Sequence, residues 1–124
     1  MDYNITKSEL EVLHVLWASG VPLSRSGILA NSKDKGWKDS SVHILLNSML
    51  KKGAIREAGF IKCGKTCGRV YEAALSCEEY YVSTLDYKRQ KPDPAKLLDA
   101  YIARNGLDEE KRAELKKILY PQEN

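Results

Sequence analysis

Residues 37–53 read WKDSSVHILLNSMLKKG, and their two faces differ. Val42, Leu45, Leu46, Met49 and Leu50 recur at helical spacing and predict one buried face. The opposite side carries Ser40, Ile44, Asn47, Ser48 and Lys51, with Ser41 and His43 on its flanks. These side chains are mostly short and polar, none is acidic, and the last is a lysine. Hydroxyl and amide groups of this length reach base edges in a DNA major groove, and a lysine can meet a phosphate. A solvated helix face would have the same composition, so the neighbouring segments decide. Gly53 follows as a stop signal.

Upstream, Thr6 and Glu9 form a capping box ahead of Leu10, Leu13, Leu16 and Trp17, and Gly20 closes that helix. Residues 21–23, Val-Pro-Leu, predict a short extended link, because the residue before proline avoids the helical region. Ser24 is placed to cap a second, short helix with Ile28 and Leu29 inward. Downstream, residues 54–62 and 69–73 predict two strands around a glycine-containing tip, CGKTCG at 63–68. Up to Arg69, the hairpin and its approach carry Arg56, Lys62, Lys65 and Arg69 against one acid, Glu57, a charge balance suited to lying on phosphates. Three helices and a basic hairpin predict a winged helix-turn-helix, mostly α with a small β-hairpin, over residues 1–74.

Residues 75–124 predict a helical dimerisation region. Ser76 and Glu79 form a second capping box, followed by Tyr80, Tyr81 and Leu85. Asp93 is placed to cap a helix with Pro94 at its first position, with Leu97, Leu98, Tyr101 and Ile102 as its stripe. Gly106 ends it, and Asp108 opens a last helix with Leu115, Ile118 and Leu119. Three short helices make a poor core alone, so Tyr81, Leu85, Leu97, Leu98, Tyr101, Ile102, Leu115, Ile118 and Leu119 are expected at a homodimer interface. The charge divides the same way: residues 1–73 hold 11 Lys/Arg against 7 Asp/Glu, and residues 74–124 hold 9 against 10. A basic first part and a near-neutral second part suit a nucleic-acid module joined to a protein-contact module.

The chain has 124 residues, 43% of them hydrophobic and 30% charged, which excludes disorder throughout. No apolar run approaches the roughly 20 residues of a membrane span, and the first residues lack a signal-peptide pattern. The chain reads as cytoplasmic, without a membrane partner. Three cysteines, an odd number, do not suit a secreted disulfide framework. Cys63 and Cys67, with Cys77, are candidate ligands for a soft metal ion or a redox pair in the wing; idle reduced thiols are the plainer reading. No catalytic constellation stands out, and Gly64-Lys65-Thr66 lacks the glycine spacing and following helix of a phosphate loop. No enzyme activity and no cofactor are expected.

The order of these segments is similar to a known family. ITKSELEVLHVLWASGVPLSRSGIL, GWKDSSVHILLNSMLKKGAI and GRVYEAALSCEEY resemble the penicillinase-repressor family of bacterial transcriptional regulators, from about Ile5 to Leu119. The resemblance implies a winged helix with a C-terminal dimerisation arm, and a homodimeric repressor on a pseudo-palindromic operator. It also implies arginine and threonine where this chain has His43 and Ile44, and arginine in place of Ser48. Three base- or phosphate-directed residues that the resemblance implies are therefore changed in this chain. Members under a membrane sensor-protease are cut in the arm, at a bond corresponding to Ala100–Tyr101, where Ala100 replaces an asparagine. Two other readings stay open: a winged-helix protein-interaction module without sequence-specific DNA binding, and a metal- or redox-sensing regulator using the Cys63/Cys67 wing.

Overall fold

The computed structural model describes residues 3–63, 66–85 and 91–121, with the side chains of residues 62–67 outside the described set. The chain divides into two compact units, residues 1–84 and 85–124. In the first, α1 (Lys7–Ser19) leads through β1 (Leu23–Ser24) to α2 (Arg25–Ala30). A 3-10 turn (Asp39–Ser41) then opens α3 (Val42–Lys52), and β2 (Ile55–Cys63), β3 (Thr66–Ala73) and α4 (Cys77–Ser83) follow.

Local signals start and stop these elements. The Thr6 hydroxyl accepts from the Glu9 backbone N–H at 3.3 Å, and Glu9 Oε1 accepts from Thr6 N–H at 2.8 Å. Ser24 Oγ accepts from Gly27 N–H at 3.1 Å and so caps α2. Gly53 ends α3 at φ 78°, a left-handed conformation that glycine adopts without a Cβ clash.

Apolar stripes from each element meet in one core. Val12, Leu13 and Leu16 of α1 pack with Ile28 of α2, Val42, Leu46 and Met49 of α3, and Ile55 and Leu75. Leu13, Ile28 and Met49 are fully buried, and each such side chain is worth roughly 1.5–3 kcal/mol. Leu45 and Leu50, expected on the same face, are half-buried around it.

β2 and β3 pair antiparallel from Ile55↔Ala73 to Cys63↔Thr66. Ala58 is the extra residue of a bulge between Glu57 and Gly59, and Gly59 there has φ 141°. The sheet has a third strand that the sequence reading treated as a link. Leu23 and Ser24 pair with Tyr71 and Val70, giving the order β1-β3-β2. An extended segment beside the open edge of β3 satisfies its backbone groups by pairing there.

α4 also lies elsewhere than expected. The anticipated boundary fell at 74/75, whereas the compact units divide after Thr84. Leu75 is buried, the Trp17 indole N–H donates to its carbonyl at 2.9 Å, and the Trp17 and Tyr80 rings are 6.0 Å apart. The Tyr81 hydroxyl lies 3.3 Å from His14 Nε2. These contacts tie α4 to α1.

The second unit contains α5 (Pro94–Asn105) and α6 (Glu109–Leu119), capped by Asp93 and Asp108 as expected. Gly106 follows α5 as its C-cap. None of the described residues 91–121 is buried. Leu98, Ile102 and Leu115 are half-buried, while Tyr101, Ile118 and Leu119 stand 65%, 72% and 59% exposed. The Ala100–Tyr101 bond lies inside α5.

Candidate nucleic-acid interface

α3 positions most of the surface. Because Val42, Leu46 and Met49 are anchored in the core, His43, Ile44, Asn47 and Lys51 point outward and are exposed. Ile44 is 71% exposed, an apolar side chain on the otherwise polar outward face. Ser40 and Ser41 lie in the 3-10 turn that leads into the helix, Ser40 exposed and Ser41 half-buried.

Ser48 is turned the other way. It is half-buried, and its hydroxyl donates to Glu9 Oε2 at 2.7 Å. Lys52 also turns inward: its ammonium donates to Glu9 Oε1 at 2.5 Å and to the Asn4 carbonyl at 2.8 Å. Glu9 is buried, so burial pushes its carboxyl pKa up. The Lys52 ammonium, the Thr6 N–H and the Ser48 hydroxyl outweigh that and hold it below its ordinary value. The network joins α1 to the last two turns of α3 and sets how the outward face is presented.

The wing arginines are not free charges. Arg69 donates to Glu57 at 2.8 Å and Arg56 to Glu72 at 2.6 Å. Glu72, an acid on the returning strand three residues past Arg69, neutralises Arg56. Exposed pairs of this kind contribute little to stability and open readily to a competing phosphate. Arg56 lines a depression with Trp17, Pro22 and Glu79. Arg69 lines a different one, with His43 and Asn47. The side chains of Lys62, Lys65, Cys63 and Cys67 lie outside the described residues. Cys77 is half-buried with a free thiol, and among the described residues no cluster of His, Cys, Asp and Glu could hold a metal ion.

The second depression is a cleft of about 380 Å³ between α2, α3 and β3. It brings together His43, Asn47 and Arg69 with three residues the sequence reading did not single out: Arg25, Ser26 and Ile61. An Arg25 guanidinium nitrogen, Nη1, stands 2.9 Å from His43 Nδ1. The signal for Arg25 was a cation between two serines, Ser24 and Ser26, just after the extended link. It went unread because the sequence reading looked for DNA-facing residues only on α3 and the hairpin.

Three helices, the third with an exposed, mostly polar face, and a three-stranded sheet that contains the β2–β3 hairpin define a winged helix-turn-helix. Residues 5–120 match the penicillinase repressor family, and the chain belongs to that family. It is a DNA-binding transcriptional regulator of the repressor kind. No match is found among curated proteins. Among solved structures, the chain is similar to the Helicobacter pylori ferric uptake regulator Fur, whose structure is described as revealing three functional metal binding sites. The match has 37% identity and a TM-score of 0.42, and covers 56% of this chain and 45% of that one. The matched part is thus under half of that regulator's length. Among the described residues, no helix is long and apolar enough to cross a membrane.

Proposed function

We propose that the protein is a homodimeric repressor that binds a pseudo-palindromic operator. Each subunit lays α3 and its leading turn, residues 39–52, in a major groove. Ser40, Ser41, His43, Asn47 and Lys51 face the DNA, with Ile44 against a thymine methyl. Arg69, Lys62 and Lys65 of the wing meet the flanking backbone. The observation that carries this reading is the split of α3: one face is anchored by Val42, Leu46 and Met49, and the other is exposed beside the Arg25–Arg69 cleft. Ser48 is left out, because its hydroxyl is committed to Glu9, and so is Arg56, which lines the other depression.

The arm supports dimerisation through its unburied stripe. Leu97, Tyr101, Ile118 and Leu119 are between 41% and 72% exposed in the single chain. A second arm covering them would supply the burial that two short helices lack. Cleavage at Ala100–Tyr101 would first need α5 to unwind, since proteases cut exposed extended segments most readily.

The test is selection of duplexes from a randomised pool by the full-length protein, followed by sedimentation of free and bound forms. Recovery of an inverted repeat bound by two chains supports the proposal. Enrichment of no sequence, with binding to all duplexes alike, would favour a protein-interaction module built on the exposed Ile44 and Phe60, each 71% exposed.

A further inference from the structure

Arg25 differs from the other cations in its choice of partner. Arg69 and Arg56 are held by carboxylates, and Lys52 by buried Glu9. Arg25 instead stands against the His43 ring, with Nη1 2.9 Å from Nδ1 and also close to Nε2. A carboxylate in that position would cancel the charge, whereas an imidazole ring carries no negative charge, holds the guanidinium in place and leaves its field intact. The Arg25 side chain is exposed at the cleft.

The surroundings suit an anion. Arg25, Ser26, His43, Asn47 and Arg69 line the same cleft of about 380 Å³, between the helix that would enter the groove and the strand that leads from the wing. Arg25 belongs to α2, which flanks the groove in this arrangement and so runs nearest the sugar-phosphate backbone. A planar guanidinium grips phosphate oxygens in a two-point fork. We propose that Arg25 binds a backbone phosphate of duplex DNA in this cleft and that His43 is the positioning residue that aims its guanidinium. The proposal rests on the DNA-binding reading above and adds the anchor that sets α3 in register with the duplex.

The experiment compares the full-length wild type with Arg25→Ala, Arg25→Gln, Arg25→Lys, His43→Gln and His43→Leu. Binding is measured in rising salt on the selected operator and on a mixed-sequence duplex. Each phosphate contact contributes roughly 0.9 to the slope of log affinity against log salt. Arg25→Ala and Arg25→Gln are expected to weaken both duplexes by about tenfold or more and to lower the slope by about 0.9. Arg25→Lys keeps the slope as a point charge. His43→Gln keeps an acceptor for Arg25 and binds more tightly than His43→Leu, which keeps the slope but binds both duplexes more weakly than wild type. Circular dichroism melts verify folding, and the two polar variants, Arg25→Gln and His43→Gln, carry the comparison if the others melt early. A wild type with a clear salt slope that Arg25→Gln leaves unchanged overturns the inference alone. A loss confined to the selected operator also overturns it, because Arg25 would then read a base. A wild type with no salt-dependent binding to either duplex overturns the DNA-binding reading itself.

Discussion

Replacing Lys52 with methionine should destabilise the first unit far more than a surface lysine normally would. Glu9 is 1% exposed. Its carboxylate takes the Lys52 ammonium at 2.5 Å, the Thr6 N–H at 2.8 Å and the Ser48 hydroxyl at 2.7 Å. Methionine keeps the length and the apolar stem but leaves a buried carboxylate without its cation. Breaking a buried pair by removing one partner costs about 3–5 kcal/mol. The Lys52 side chain is 23% exposed against 2% for Glu9, so water softens the loss at one end. About 2–4 kcal/mol is expected, or on the order of 10–25 °C in melting temperature for a unit of this size. The sign with pH follows from Glu9. In the wild type its pKa is held below the ordinary value of about 4.3, so its contribution is present above that pH and is lost as pH falls through the lowered pKa. In Lys52→Met, burial without the cation pushes the Glu9 pKa up, so protonation relieves the variant first. The gap between the two proteins should be largest near neutral pH and shrink below about pH 4. Urea melts followed by circular dichroism, at fixed protein concentration and at both pH values, measure it. Glu9→Gln with Lys52→Met should be less damaging than Lys52→Met alone, because no charge is stranded. A loss under roughly 0.5 kcal/mol, or one equal at both pH values, would refute the assignment of Lys52 as the counterion of a buried carboxylate.

Four more outcomes are expected. Asn47→Ala should cost roughly 1–3 kcal/mol on the selected operator and little on mixed-sequence DNA, measured by gel shift; equal losses would make Asn47 a positioning residue. Ser48→Ala should lower stability by about 1 kcal/mol in urea melts yet leave operator contacts otherwise intact, the reverse of what a base-reading serine would do. A chain ending at Thr84 should fold, sediment as a monomer and bind the full operator far more weakly, since two linked half-sites gain by effective concentration. A chain ending at Ala74 should melt at a clearly lower temperature than the 1–84 form, having lost Leu75 and the Tyr80 contact with Trp17; equal melting would detach α4 from the first unit.

What the sequence alone determined is what short-range rules govern. The capping boxes at Thr6/Glu9 and Ser76/Glu79, the Asp93 and Asp108 caps and the glycine stop at Gly53 all depend on residues within one helical turn of each other. The inward stripe of α3 follows from a periodicity that any helix must obey. From these the winged helix, the position of α3 and the apolar arm were all legible. The tertiary structure decided which outward-reading residues stay outward. Ser48 reads as a surface group, and Lys52 has no assigned face, until the fold brings Glu9 to them from 39 and 43 residues away. Glu9 reads as a capping residue, and only the packing of α1 on α3 makes it the acceptor that the two helices share. Arg56 read as a phosphate contact until the strand register set it opposite Glu72. Arg25 was only a cation between two serines until the turn between α2 and α3 placed it against His43. Pairings of this kind follow from where the chain returns to itself. Burial strengthens those made to Glu9 by excluding the water that would otherwise satisfy the same groups, and no local pattern encodes which group will be met.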